Sequence, residues 1–237
     1  MSEPGDSLVP LSDEKGALDI LTKSVLGLWE VVNNLTLLRP TKRERFRVTI
    51  FGSARVDPSH WVYAAVRDVA AELTRLGCDI VTGGGPGLMQ AANEGAKLAG
   101  SEGAGQKSVG IRVELPFEQD VNAFVTDAFE HKTFFTRLHH FVLVSDVFIV
   151  TPGGIGTVLE TLMVWQLLQV RHLHDTPLIL AGHFWDGLID WARAVMLRPD
   201  APLIGAEDLK IPQVLPDGAS IVRAVREHHA RWTARQN

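Results

Sequence analysis

The stretch Thr151 to Glu160, TPGGIGTVLE, follows directly on the apolar run Val147-Phe148-Ile149-Val150. Four apolar residues closed by glycines read as a buried strand that turns sharply into a helix. Gly153, Gly154 and Gly156 permit a tight turn, and they equally permit a ligand to approach the backbone. Glu160 stands where either reading gives it work. Thr157-Val158-Leu159-Glu160 matches the capping box, in which the threonine and the glutamate satisfy each other's free backbone donors. A carboxylate in the first helical turn has its ionised form favoured by the helix dipole, so Glu160 is expected to resist protonation. That suits a base, a nucleophile or a stabiliser of positive charge better than a general acid.

Working outward, strand and helix signals alternate along the chain. Strands are predicted at Val48–Gly52, Asp79–Thr82, Ser108–Val113, Ala123–Ala128, Val147–Thr151, Pro177–Ala181 and Gln213–Leu215. Helices are predicted at Trp61–Leu76, Leu88–Ala99, Thr133–Val144, Thr157–Val170, Trp185–Leu197 and Ala219–Trp232. Short apolar strands separated by helices belong to a parallel sheet covered on both faces. The expected fold is therefore α/β, a Rossmann-like doubly wound parallel sheet, whose ligands sit beyond the carboxyl ends of the strands. Upstream, Leu18, Leu21, Val25, Leu28, Val32 and Leu35 recur at steps of three and four, one stripe of an amphipathic helix. It packs on the main body or on another subunit. The expected organisation is a loose tail at 1–14 and one domain over 15–237, with the helix at 16–37 and the core at 46–237.

The corners at Gly52-Ser53, Gly83 to Gly87 and Gly153 to Gly156 all fall at the same edge of this sheet and are expected to converge on one crevice. TGGGPGLM directs backbone N–H groups and a helix N-terminus there, an arrangement suited to phosphate or carboxylate. Two familiar nucleotide signatures fail. A G-x-G-x-x-G fingerprint from Gly83 needs glycine where Leu88 stands, and no glycine run ends in Gly-Lys-Ser/Thr. NAD and ATP are disfavoured, and no cofactor is expected.

The bulk numbers narrow the class further. With 23 Lys+Arg against 28 Asp+Glu, a formal charge of -5, the chain lacks the basic surface of a nucleic-acid binder. The single cysteine forms no intrachain disulfide, and neither a signal peptide nor an apolar run of about 18 residues is evident, so a cytoplasmic protein without membrane contact is expected. Eight of the nine histidines, His131, His139, His140, His172, His174, His183, His228 and His229, are read as surface or packing groups. Adjacent ones diverge by about 100° on a helix, so no metal site is expected. Trp165 and Phe134 are read as core.

PGGIGTVLE (Pro152–Glu160), TGGGPGLMQAANEGA (Thr82–Ala96), FGSAR (Phe51–Arg55) and ELPFEQ (Glu114–Gln119) together resemble the LOG (lonely guy) family, long labelled as lysine decarboxylases. The likeness covers roughly Phe46 to Leu197. It implies a phosphoribohydrolase that splits a nucleoside 5′-monophosphate, of a cytokinin riboside or an ordinary purine or pyrimidine, into free base and ribose 5-phosphate. It also implies a homodimer. The catalytic positions it implies are Arg137 and Glu160. Gly84, Gly85, Gly87, Gly153, Gly154, Ile155, Gly156 and Thr157 are implied to hold phosphate and sugar, joined by Gly52 and Ser53 of the first corner and by Glu118. Leu138 stands where the family commonly carries lysine. Carriers of molybdenum cofactor share this fold and glycine pattern, so a non-catalytic binder of a phosphorylated ligand is the alternative. A true decarboxylase would need a lysine holding pyridoxal phosphate, and lysines are scarce near the corners.

Overall fold

The computed structural model describes residues 10, 12–35, 44–100, 105–114 and 121–236, the stretch 29–35 by its backbone only. Two compact units are distinguished, Met1–Arg43 and Glu44–Asn237. In the first, helix α1 spans Glu14–Leu35. Asp13 begins it, accepting the Gly16 N–H at 3.1 Å, the work of a capping residue. Leu18, Leu21, Val25 and Leu28 of the predicted stripe are all exposed.

The second unit holds seven parallel strands: β1 Phe46–Phe51, β2 Cys78–Thr82, β3 Ser108–Val113, β4 Asp127–His131, β5 Val147–Val150, β6 Leu178–Ala181 and β7 Pro212–Leu215. Their order is β4-β3-β2-β1-β5-β6-β7. Winding runs one way from β1 to β4 and reverses from β5 onward, so the switch point lies between β1 and β5. There Phe51 lies beside Val150. Helices α2 Trp61–Arg75, α3 Leu88–Gly100, α4 Phe134–Val144, α5 Ile155–Gln169, α6 Asp186–Met196 and α7 Gly218–Gln236 make the crossovers and close the chain.

Strand alternation sorts the core into two layers. Val48, Ile50, Ile80, Val147 and Ile149 face α2, α3 and α7, meeting Val66, Leu73, Leu88, Ala92 and Val225. Phe51, Val81, Ile111, Phe148, Val150 and Leu180 face α4, α5 and α6, meeting Phe141, Val164, Trp165 and Ile189. This is the expected doubly wound architecture.

Two expectations need correction. The fourth strand lies at Asp127–His131 rather than Ala123–Ala128. It is one of the two edge strands and largely exposed, so it lacks the apolar run that marks the inner strands. Phe134, read as core, is 46% exposed, whereas Trp165 is buried and donates its indole N–H to the Asp208 carbonyl at 2.9 Å. Leu180→Ala, which empties a fully buried position in the second layer, should cost about 2–5 kcal/mol. The check is a lower urea midpoint with unchanged slope.

Candidate active site

Three glycine corners meet where the winding reverses, and Ser53 laces them together. Its N–H donates to Pro152 O at 3.1 Å, and its carbonyl accepts the Leu88 N–H at 2.8 Å. Gly52 is buried, with the Thr151 hydroxyl and Leu88 occupying the space a side chain would need. Gly87 adopts φ +68, and a Cβ there would strike the backbone of Ser53 and Ala54. Only glycine satisfies both demands.

At the second corner, the Thr82 hydroxyl accepts the Gly84 N–H at 2.9 Å and donates to Asn93 Oδ1 at 2.6 Å. Asn93 is fully buried and donates to the Ser108 hydroxyl at 2.9 Å. Gly85 and Gly87 follow in the same loop. At the third corner Gly154 is the N-cap of α5 and supplies no side chain. Gly153 packs on the buried Thr157, while Gly154, Ile155 and Gly156 are exposed. Early N–H groups of α5 therefore face solvent, as an anion site requires.

The capping box is overturned by this geometry. Helix α5 begins at Ile155, so Thr157 is its third residue and Glu160 its sixth. The glycines allowed the helix to start three residues earlier than a Thr157 cap would place it, with Gly154 as the N-cap. Glu160 is consequently in the second turn, 9% exposed, turned into the protein.

There it meets Arg137 of α4, whose Nη1 lies 3.2 Å from Glu160 Oε1. The rest of the guanidinium is held in place too. Nε donates to Ile111 O of β3 at 2.9 Å, and the Phe141 ring centroid lies 5.3 Å from Cζ. Nη2 lies against Gly83, where a Cβ would collide with it. Arg137 thus crosses from a helix on one face to the glycine corner of β2, and Leu138 beside it is buried.

The electrostatics of Glu160 reverse the expectation from sequence. Burial pushes its carboxyl up from 4.5 to about 7, and the attraction of Arg137 only partly offsets this. Desolvation outweighs the ion pair, because the helix dipole acts mainly on the first turn and Glu160 lies beyond it. Near neutral pH the residue is divided between acid and carboxylate.

Glu118 lies outside the described residues. Sequence reading missed Thr82, Asn93 and Ser108. Asn93 carried a signal, a polar residue on the apolar face of α3 among Leu88, Ala92 and Ala96. It also missed the contact between His131 Nε2 and His140 Nδ1 at 2.9 Å. Burial lowers the pKa of both imidazoles, so they pair as neutral rings. No cluster of metal-binding groups occurs among the described residues, and no helix there is long and apolar enough to cross a membrane. An open cleft of about 410 Å³ lies elsewhere, lined by Arg171, Asp175, Lys210 and His228 among others, and includes neither Arg137, Glu160 nor any residue of the three glycine corners.

The model of the family described as "Possible lysine decarboxylase" matches residues 89–225, more than half the chain. The chain belongs to that family. It is the LOG family of the resemblance, and Arg137 and Glu160 both fall within the matched stretch. The pyrimidine/purine nucleotide 5′-monophosphate nucleosidase of Escherichia coli (strain K12) is 29% identical over 140 residues, 57% of this chain and 30% of that protein. The chain thus spans less than a third of the curated relatives it matches. Among solved structures, a molybdenum cofactor carrier protein of Chlamydomonas reinhardtii superposes with TM-score 0.57 at 19% identity, covering 79% of this chain and 99% of the other. A molybdenum cofactor binding protein of Rippkaea orientalis gives TM-score 0.57 at 17% identity, covering 78% and 98%. These structural likenesses establish the fold.

A raised folded-state pKa means that folding takes up a proton at Glu160. Its contribution to stability is fully present below pH 4.5 and lost as pH rises through about 7. Glu160→Gln removes that dependence. Its unfolding free energy relative to wild type should rise by roughly 1–3 kcal/mol between pH 4.5 and 7.5, measured by urea denaturation. A difference that does not change with pH would refute the assignment.

Proposed function

We propose that the protein hydrolyses the N-glycosidic bond of a nucleoside 5′-monophosphate, of a cytokinin riboside or an ordinary purine or pyrimidine, to free base and ribose 5-phosphate. The observation that carries this reading is the Arg137–Glu160 pair, buried at the switch point beside two glycine corners. The printed activity of the Escherichia coli relative supports it. Cleavage transfers the bonding pair to the base nitrogen and builds positive charge on the ribose carbon. Water then supplies hydroxide to that carbon and a proton to the base. An ionised carboxylate close to the ribose stabilises the charge and orients the water. Glu160 takes that role.

Arg137 has two functions in this scheme. It keeps part of the Glu160 population ionised despite burial, and its remaining N–H donors bind the phosphate or a ribose hydroxyl in forked geometry. Gly85, Gly87, Gly153, Gly154, Ile155, Gly156 and Thr157 cradle the phosphoribosyl group, with Gly52, Ser53 and Gly84 shaping the cradle and Glu118 reaching the substrate. The protein acts in the cytoplasm as a homodimer, for which the exposed Leu18, Leu21, Val25 and Leu28 of α1 offer an apolar face.

The test incubates the protein with AMP, GMP, CMP, UMP and isopentenyladenosine monophosphate and separates the products by chromatography. Wild type should release base and ribose 5-phosphate from at least one nucleotide. Glu160→Gln and Arg137→Ala should each lower the rate by about 10²-fold or more. The wild-type rate should fall on the acid side with a midpoint near 7, as Glu160 takes up a proton. A folded wild type that binds these nucleotides and releases nothing would instead be a carrier of phosphorylated ligands.

A further inference from the structure

The glycine corner after β2 has few backbone donors to offer. The Gly84 N–H is taken by Thr82 and the Leu88 N–H by Ser53. Pro86 has none. From Gly84 to Leu88, the N–H groups of Gly85 and Gly87 therefore remain for a ligand, and what orients the first of them decides whether the corner works.

That orientation is set by Asn122, a residue of the segment joining β3 to β4. Its side-chain Nδ2 lies 3.1 Å from Gly84 O, 3.0 Å from Gly85 O and 3.0 Å from Asn93 Oδ1, its two hydrogens shared among the three acceptors. Its own backbone N–H donates to Gly84 O at 2.8 Å. The Oδ1 faces the Phe124 N–H at 3.1 Å, so the amide can stand only one way round. Gly84 itself, at φ +73, lies within contact distance of Gly110 and Val121 where its Cβ would be. The β3 side of the loop is thus closed by packing and by Asn122.

In a trans peptide the carbonyl of one residue and the N–H of the next point in opposite directions. With the Gly84 carbonyl drawn toward the β3 side by two hydrogen bonds, the Gly85 N–H faces the other way, toward β1 and β5. We infer that Asn122 is a positioning residue, whose clamp on the Gly84 and Gly85 carbonyls holds the Gly85 N–H toward the crevice to receive the substrate's phosphate. The contacts to the two glycine carbonyls set the loop, whereas the buried cluster of Asn93, Thr82 and Ser108 behind them packs α3 against β2 and β3. Preorganised donors of this kind cost no reorganisation on binding. The inference rests on the phosphoribosyl reading of the crevice.

The experiment measures calorimetric binding of ribose 5-phosphate, with ribose as the unphosphorylated control, to the full chain and three variants. Asn122→Asp keeps the shape but removes the donor, Asn122→Ala removes the group, and Ser108→Ala cuts the same buried network without touching the glycine carbonyls. Either folded Asn122 variant should bind ribose 5-phosphate about tenfold more weakly, and its KM for the preferred nucleotide should rise in parallel with kcat within about threefold. Ser108→Ala should lower the thermal midpoint and leave the affinity unchanged. An Asn122 variant that binds as tightly as wild type overturns the inference, as does a Ser108→Ala that loses affinity equally. Wild type that binds no ribose 5-phosphate overturns the phosphoribosyl reading itself, and the role of Asn122 with it.

Discussion

Glu160 is held where water barely reaches its carboxylate, and one guanidinium stands against it. Burial raises the cost of its charge and Arg137 lowers it, and burial prevails. That balance exists because Arg137 is itself anchored, by the Ile111 carbonyl, the Phe141 ring and the bare backbone of Gly83. A side chain at Gly83 would displace the guanidinium. Removing the guanidinium would leave a buried acid with no counter-charge, driven further toward its neutral form.

The sheet supplies the place for this pair. Reversal of the winding between β1 and β5 leaves the corners of β1, β2 and β5 around a crevice, and Ser53 hydrogen-bonds to both of the others. Helices from opposite faces deliver the groups. α3 begins at the glycine corner of β2, while α4 and α5 bring the cation and the acid over the strand ends from the other side. The site is thus a product of double winding, and no one segment carries it.

Most of the fold was legible because buried parallel strands read as short, mainly apolar runs, and those of β1, β2, β5 and β6 lead into Gly52, Gly83, Gly153 and Gly182 at or within a few residues of their ends. The edge strand Asp127–His131 was misplaced because its exposed residues, polar ones among them, erase that signature. At the site, the family resemblance named Arg137 and Glu160, while the residues alone misplaced the start of α5 and did not show that the two side chains meet. A Thr–Glu spacing that fits a capping box cannot reveal that Gly154 starts the helix earlier, since glycine leaves the start of a helix undetermined by any side chain. The pKa of Glu160 was illegible for the same reason, because it depends on burial across elements distant in sequence. Asn122 carried no local signal, being one polar residue in a loop whose partners lie near Gly84 and Asn93.

The most direct measurement of the central claim is a carbon-13 NMR titration of the glutamate carboxyls, with the Glu160 resonance assigned by its absence in Glu160→Gln. A midpoint near 7 is expected in the wild type, moving higher in Arg137→Ala as the counter-charge is lost. A midpoint at the ordinary carboxylate value of 4.5, unmoved by removing Arg137, would contradict it.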